Sequence, residues 1–210
     1  MHDPLLEVME EPLVGSTGRE VLKNIFHGAF QQAAQSLGLL IGRQTVVGRS
    51  TLRTLRGEAF FDCFEDGLDE LYFASILKID DIFGSNVILL IPAGDGIRLY
   101  RRLTGEDCTA EDQATEDAVA GIGELNNILG GAFINSLANF LKVTIHSTIP
   151  LNTLDMLGAI LQDIVLQEEY LDKQILYVET AIQDADRKDC TVRLIVLSDW
   201  RRFSRILDSV

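Results

Sequence analysis

The chain repeats itself at a spacing of about 100 residues, and this internal duplication limits the folds that are open to it. Four pairs of segments match: residues 24–30 with 127–133, 52–55 with 151–154, 71–72 with 176–177, and Asp95 with Asp199. Chance matches between short segments would not keep a nearly constant spacing along the chain. Each half is therefore expected to be one supersecondary unit, and the two units are expected to pack about a pseudo-two-fold axis.

Hydrophobic periodicity predicts the elements of the first unit. They are, in order, an amphipathic helix over about 17–37, a strand near 45–47, a short helix or irregular stretch around 51–61, and strands over 71–79 and 86–91. Asp80 and Asp81 are typical turn residues between the last two strands. Asp95 follows a Pro-Ala-Gly segment and is placed to cap a helix that ends near Leu103.

The second unit is expected to repeat this order. It comprises a helix over about 116–141, a strand over about 143–147, a helix after Pro150, strands over about 175–182 and 191–197, and a final helix capped by Ser198 or Asp199. Tight turns between successive strands favour antiparallel pairing. The sequence thus predicts a single α+β domain, 1–210, in which two pseudo-symmetric repeats (about 17–103 and 116–208) form an antiparallel sheet flanked by long helices. The acidic segment 104–112 is the expected seam between the repeats.

The helix predicted over 116–141 presents a carboxylate and an amide together. Glu124 and Asn127 are three positions apart, about 60° around an α-helix, so they share one face. Three small residues fall on the same face: Ala120, Gly131 and Ala138. The opposite side carries the residues expected in the core: Val119, Ile122, Leu125, Leu129, Phe133, Leu137 and Phe140. The pattern indicates a surface on which a partner can dock closely.

A proline follows the Glu124 and Asn127 pair at a fixed distance: 22 residues separate Asn127 from Pro150. This spacing resembles that of the CheC/CheX/FliY family, phosphatases that act on the phosphorylated chemotaxis response regulator CheY. Residues 154–161 also resemble the family's second-half helix, and the duplication resembles the CheC branch of the family. One position departs from the family pattern, since Ala120 stands where the family has Asp or Ser.

The resemblance implies a mechanism and a set of partners. Asn127 would hold a water molecule in line with the aspartyl phosphate, and Glu124 would pair with a lysine of the regulator. The resemblance places the Mg²⁺ that balances the phosphoryl charge on the response regulator, so the chain is expected to need no cofactor of its own. Its partners would be a phosphorylated CheY-type regulator and, as a further candidate, the deamidase CheD.

Other interpretations of this helix stay open. An isolated Glu-x-x-Asn is typical of a solvated helix surface, although Pro150, the duplication and the Gly130-Gly131 pair favour a family site. The two glycines could instead allow close helix contact inside the fold. Ala120 keeps open a second class of function, namely a non-catalytic module that binds a response regulator, CheD or a component of the flagellar switch.

The first repeat keeps only part of the site pattern. Asn24 occupies the position of Asn127, but Val21 stands three residues before it, where the pattern has Glu. Glu20 lies about 100° around the helix from Val21 and so belongs to another face. Asn24 is therefore interpreted as the remnant of a second site that has decayed to a structural role. The alternative is a degenerate site that still functions.

Composition restricts the class of protein further. Hydrophobic residues make up 47% of the chain, which is typical of a folded protein. A formal net charge of −14 opposes binding to nucleic acid or to an anionic membrane surface. The sequence has no apolar run of about 18 residues and no signal-peptide pattern, so a cytoplasmic protein is expected. Its His and Cys residues show no metal-binding spacing. The protein is expected to be a monomer or a weak dimer.

Overall fold

The computed structural model describes residues 6–8, 16–64, 67–79, 84–105, 116–167, 170–185 and 190–207. The strands are β1 (Leu6–Val8), β2 (Thr45–Val47), β3 (Ser50–Arg56), β4 (Leu71–Ile79), β5 (Ser85–Pro92), β6 (Leu151–Met156), β7 (Gln174–Asp184) and β8 (Thr191–Asp199). The helices are α1 (Ser16–Ile41), α2 (Ala93–Thr104), α3 (Glu116–Leu141), α4 (Leu157–Gln167), α5 (Trp200–Leu207) and a 3-10 helix (Gly57–Phe64). The predicted turn residues Asp80 and Asp81, and most of the predicted seam at 104–112, lie outside the described residues.

The two halves of the chain exchange strands within one sheet, whose order is β1-β3-β7-β8-β5-β4-β6, with β2 also pairing with β7. β3 pairs with β7 of the other half, and β6 pairs with β4 of the other half. β5 and β8 meet at the centre, where Val87 lies opposite Val196. These pairings are antiparallel, whereas β1 and β3 run parallel. The predicted α+β class with an antiparallel sheet is confirmed, and matching strands of the two repeats lie on either side of the β5–β8 pair.

Side chains alternate along the strands and build a hydrophobic core on each face of the sheet. On β4, Phe73 and Leu77 belong to one core, while Tyr72 and Ala74 belong to the other. The first core includes the long helices α1 and α3, and the second includes α4 and the 3-10 helix. No helix in the described ranges combines the length and the hydropathy that a membrane span requires.

Helices α1 and α3 pack against each other through an aromatic cluster. The ring centroid of Phe133 on α3 lies 6.4 Å from that of Phe26 and 5.5 Å from that of Phe30 on α1. The prediction that Phe140 lies in the core is wrong, since this residue is 48% exposed. Its ring lies against Gly28 of α1, where a Cβ would come within 2.5 Å of the ring, so the glycine leaves room for Phe140 at the edge of the helix pair.

Two strands, β3 and β6, form where the sequence predicts other structure. Residues 51–61, predicted as a short helix or irregular stretch, form β3 and the start of the 3-10 helix. The helix predicted after Pro150 begins at Leu157, because residues 151–156 form β6. β6 lies at the edge of the sheet and is largely exposed, so no alternation of buried and exposed residues marks it in the sequence. Its conformation follows from pairing with residues 71–76 of β4.

The strand predicted over 143–147 is not formed. Lys142 follows the end of α3 in a left-handed conformation, with a φ of 54°. Val143 and Ile145 then pack against the first core, and Ser147 makes an isolated bridge to β4. Core contacts of an irregular segment therefore explain the apolar residues that predicted a strand.

One predicted helix cap is wrong and one is confirmed. α2 begins before Asp95, which lies in its first turn, and the Asp95 carboxylate instead accepts hydrogen bonds from Arg98 and, at 2.7 Å, from the backbone N–H of Thr191. Asp199 does cap α5, because its Oδ1 accepts a hydrogen bond from the backbone N–H of Arg201 at 2.9 Å. The Asp95 contact connects α2 to the start of β8.

Candidate functional site

The candidate site lies on α3, a 26-residue helix with one buried side and one exposed side. Glu116 and Asp117 in its first turn favour the start of the helix, because acidic side chains interact well with the N-terminal end of the helix dipole. Its apolar side packs against the sheet and α1. This packing fixes which side chains the helix presents outward.

Glu124 and Asn127 lie one turn apart on the exposed side of α3. Within the described part of the chain, neither side chain makes a hydrogen bond or an ion pair. The carboxylate can accept hydrogen bonds, and the amide can both donate and accept them. Both side chains therefore keep their full hydrogen-bonding capacity for a molecule that docks on this face.

The small residues beside this pair divide into two groups. Ala120 is exposed, and a Cβ added at Gly131 would meet no heavy atom within 4 Å. At Gly130, in contrast, a Cβ would lie 2.2 Å from Cδ1 of Leu77 on β4. Gly130 therefore serves the packing of the helix on the sheet, whereas the surface around Gly131 is open to a partner.

Pro150 lies on a different element from Glu124 and Asn127. It is half-buried and directly precedes β6, the edge strand beneath α3. β6 meets the helix through Asn152, whose amide occupies the space beside Gly123; a Cβ on this glycine would lie 2.3 Å from Nδ2. Pro150 is thus not part of the exposed pair, and it directly precedes the strand that contacts α3 beside Glu124.

The first repeat presents Asn24 on the neighbouring helix α1. Asn24 is exposed, and Val21, one turn before it, is 43% exposed. Glu20 is exposed on a different face of the helix. An apolar side chain therefore stands on α1 at the place where α3 has the carboxylate of Glu124.

The sequence predictions overlook Asn126, the residue next to Asn127. Its side chain is 1% exposed, and neither Oδ1 nor Nδ2 has a hydrogen-bond partner among the described residues. Buried polar atoms are usually paired, so this amide calls for an explanation. The signal in the sequence is its position between Gly123 and Gly130, at spacings that place all three on one side of a helix.

A cluster of groups with displaced pKa values lies in the second core, away from α3. Glu179 accepts hydrogen bonds from the Tyr177 hydroxyl and from Nε of Arg193. Burial raises the pKa of Tyr177, and the charge of Glu179 raises it further. Burial would lower the pKa of Arg193, but Glu179 holds it above its usual range. Burial also raises the pKa of the Cys63 thiol, so little reactive thiolate forms near neutral pH and the cluster has no activated nucleophile.

The candidate site is an exposed helix face. A cavity of about 260 Å³ lies between the sheet and α4, and its lining includes Asn86, Asp155 and Ile160. Neither Glu124 nor Asn127 lines this cavity. The pair is therefore open to a molecule that docks on the face of α3.

No family model matches this chain. The chain is similar to the CheY-P phosphatase CheC of Bacillus subtilis (strain 168), with 20% identity over 190 residues that cover 89% of this chain and 90% of that protein. Among solved structures it is similar to FliY of Thermotoga maritima, with a TM-score of 0.72 and 13% identity, covering 93% of this chain and 96% of that one.

A further solved relative is FliM of H. pylori in its complex with FliG. The TM-score is 0.64 at 11% identity, and the match covers 93% of this chain and 100% of that one. Together with the FliY similarity, this shows that the chain shares its fold with these solved structures. The resemblance to the CheC/CheX/FliY family that the sequence predicted is confirmed.

Proposed function

We propose that this protein hydrolyses the aspartyl phosphate of a CheY-type response regulator in a bacterial or archaeal chemotaxis circuit. The observation that carries the proposal is the pair Glu124 and Asn127, exposed on one face of α3 and without partners in the described chain. Similarity to a CheY-P phosphatase over 89% of the chain supports the same class of reaction. A cytoplasmic location is part of the proposal.

In the proposed reaction, the oxygen of a water molecule attacks phosphorus in line with the bond to the aspartate oxygen. This bond breaks, and the products are inorganic phosphate and the free aspartate carboxylate. The Asn127 amide accepts a hydrogen bond through Oδ1 and donates one through Nδ2, which suits it to hold the water in line. Positioning and charge stabilisation are the main contributions that proteins make to phosphoryl transfer. The Mg²⁺ that stabilises the phosphoryl charge is assigned to the regulator.

Glu124 is proposed to set the docking register by pairing with a lysine of the regulator. It lies one turn before Asn127 on the same face, so an ion pair there would orient the amide toward the phosphoryl group. An exposed ion pair contributes only about 0–1 kcal/mol, so its role is one of orientation more than of affinity. Ala120 and Gly131 allow the helix backbone to come close enough for the short Asn127 side chain to reach the water.

A second candidate function is a non-catalytic module that binds a response regulator, CheD or a flagellar switch component. Ala120 favours it, because the family pattern has Asp or Ser at this position. Similarity to a FliM chain solved together with FliG also agrees with a role in assembly. In this case a regulator would bind to α3 without losing its phosphate faster.

The rate at which a phosphorylated CheY-type regulator loses its phosphate, with and without this protein, separates the two candidates. A phosphatase turns over, so an amount well below that of the regulator should accelerate the loss. A binding module would leave the rate unchanged while the complex is still detected in a pull-down. If the protein neither accelerates the loss nor binds the regulator, the phosphatase proposal is wrong, and a binding module for this regulator is wrong as well.

A further inference from the structure

Asn126 lies between two positions at which α3 packs closely on the sheet. The side of the helix that faces β4 and β6 carries Gly123, Asn126 and Gly130. Asn152 fills the space at the first glycine and Leu77 fills the space at the second, since Cβ atoms there would lie 2.3 Å and 2.2 Å from these side chains. The glycines thus bring the helix backbone close to the strands on both sides of Asn126.

Asn126 shares this contact with a second unpartnered polar group. Ser75 of β4 lies opposite Asn152 in the strand register and on the same face of β4 as Leu77. Its Oγ is buried and has no hydrogen-bond partner among the described residues, like both polar atoms of Asn126. The contacts of the two glycines therefore place Asn126 over the part of β4 that carries Ser75. Polar atoms in such a place destabilise the fold relative to apolar side chains of similar shape.

The first repeat provides an internal comparison for this arrangement. At the spacing that aligns Asn24 with Asn127, the counterparts of Gly123, Asn126 and Gly130 are Glu20, Lys23 and His27. The first of these is exposed, and the other two are partly exposed. That repeat also lacks the site carboxylate. The buried amide between two glycines thus occurs in the half that carries the candidate site and is absent from the other half.

We infer that Asn126 is a positioning residue, which fixes the rotation of α3 over the sheet and its distance from it, so that Asn127 is presented in one geometry. The inference rests on the proposed function. Other rotations of α3 would bury the amide against apolar side chains of the first core and away from Ser75, so a polar group here specifies packing at a cost in stability, as a buried Asn does in a coiled coil. An apolar side chain at position 126 fills similar space without this restriction, so it allows the helix several settings.

Asn126→Leu tests this inference, with Asn139→Leu as the control at an exposed position of the same helix. Asn126→Leu should melt at a higher temperature than the wild type, while kcat for dephosphorylation falls about tenfold or more and KM stays the same. Adding Ser75→Ala to this variant should lower kcat no further, because Ser75 is proposed to act on α3 only through the Asn126 amide. Asn126→Ser keeps a hydroxyl and should recover part of the lost kcat. The control should leave kcat unchanged.

The NMR signals of the backbone amides of residues 120–131 give a measurement that does not depend on catalysis. They should form one sharp set in the wild type and should broaden or split in Asn126→Leu. A variant that melts lower than the wild type, keeps its kcat or keeps one sharp set of signals would overturn the inference. A wild-type chain without phosphatase activity would contradict the proposed function, and the melting and NMR measurements would still decide whether Asn126 sets the position of α3.

Discussion

Glu124 and Asn127 lie one turn apart on the exposed side of α3, and in the described chain neither side chain has an internal partner. Docking of a regulator would therefore break no hydrogen bond within the protein. Because the other side of the helix is fixed by packing, the backbone positions of the pair are set before docking, which lowers the entropic cost of binding. Glu124 is proposed to act in docking and Asn127 in positioning the water, so substitutions of the two residues should differ in their effects on binding and turnover.

Glu124→Ala should weaken both regulator binding and turnover, because the carboxylate is proposed to pair with a regulator lysine. Salt screens exposed ion pairs, so added salt should weaken binding of the wild type more than binding of the variant. Fluorescence anisotropy with a labelled regulator at low and high salt measures the difference, and Glu116→Ala, exposed at the start of the same helix, is the control. An identical salt dependence of wild type and variant would show that Glu124 is an ordinary surface residue.

Gly131→Leu should reduce dephosphorylation by about 10²-fold, because bulk on this face holds the amide away from the phosphoryl group. The melting temperature should change little, since a Cβ at Gly131 meets no heavy atom within 4 Å. Gly130→Leu is the matched contrast and should destabilise the fold, because its Cβ would lie 2.2 Å from Leu77 Cδ1. A Gly131→Leu protein that melts normally and keeps full activity would show that close approach at this face is unnecessary.

Asn24→Ala should cost little activity, because Val21 cannot supply the docking carboxylate that Glu124 provides on α3. Kinetics at several regulator concentrations would measure the turnover number of this variant beside the wild type. A turnover number reduced to half or less would mean that both helices carry working sites. Val21→Glu is the converse change, and it should raise turnover if the exposed face of α1 still admits a regulator.

The helices and the strands of this chain differ in how far the sequence predicts them. α3 was predicted over its full length, because apolar residues recur along it at helical spacing and acidic residues mark its start. β6 was missed, because it is largely exposed and forms through pairing with residues 71–76, far away in the chain. The exchange of β3 and β6 between the halves is equally a long-range property, since the pattern of a strand does not identify its partner.

The same distinction applies to the site. The exposure of Glu124 and Asn127 follows from helical periodicity, which places them opposite the apolar side of α3. Burial of Asn126 does not follow from periodicity alone. It depends on how closely the helix approaches β4 and β6, and therefore on side chains of the sheet that fill the space left by Gly123 and Gly130.

Asn127 is proposed to position the attacking water, and the rate of regulator dephosphorylation by Asn127→Ala tests this role. The variant should keep the wild-type melting temperature, because the side chain is exposed. Its rate should fall by about 10²-fold or more, the scale for loss of a preorganised catalytic contact, while Asn24→Ala, the matched amide on α1, stays near the wild type. An Asn127→Ala protein that dephosphorylates the regulator at the wild-type rate would show that Asn127 does not position the attacking water.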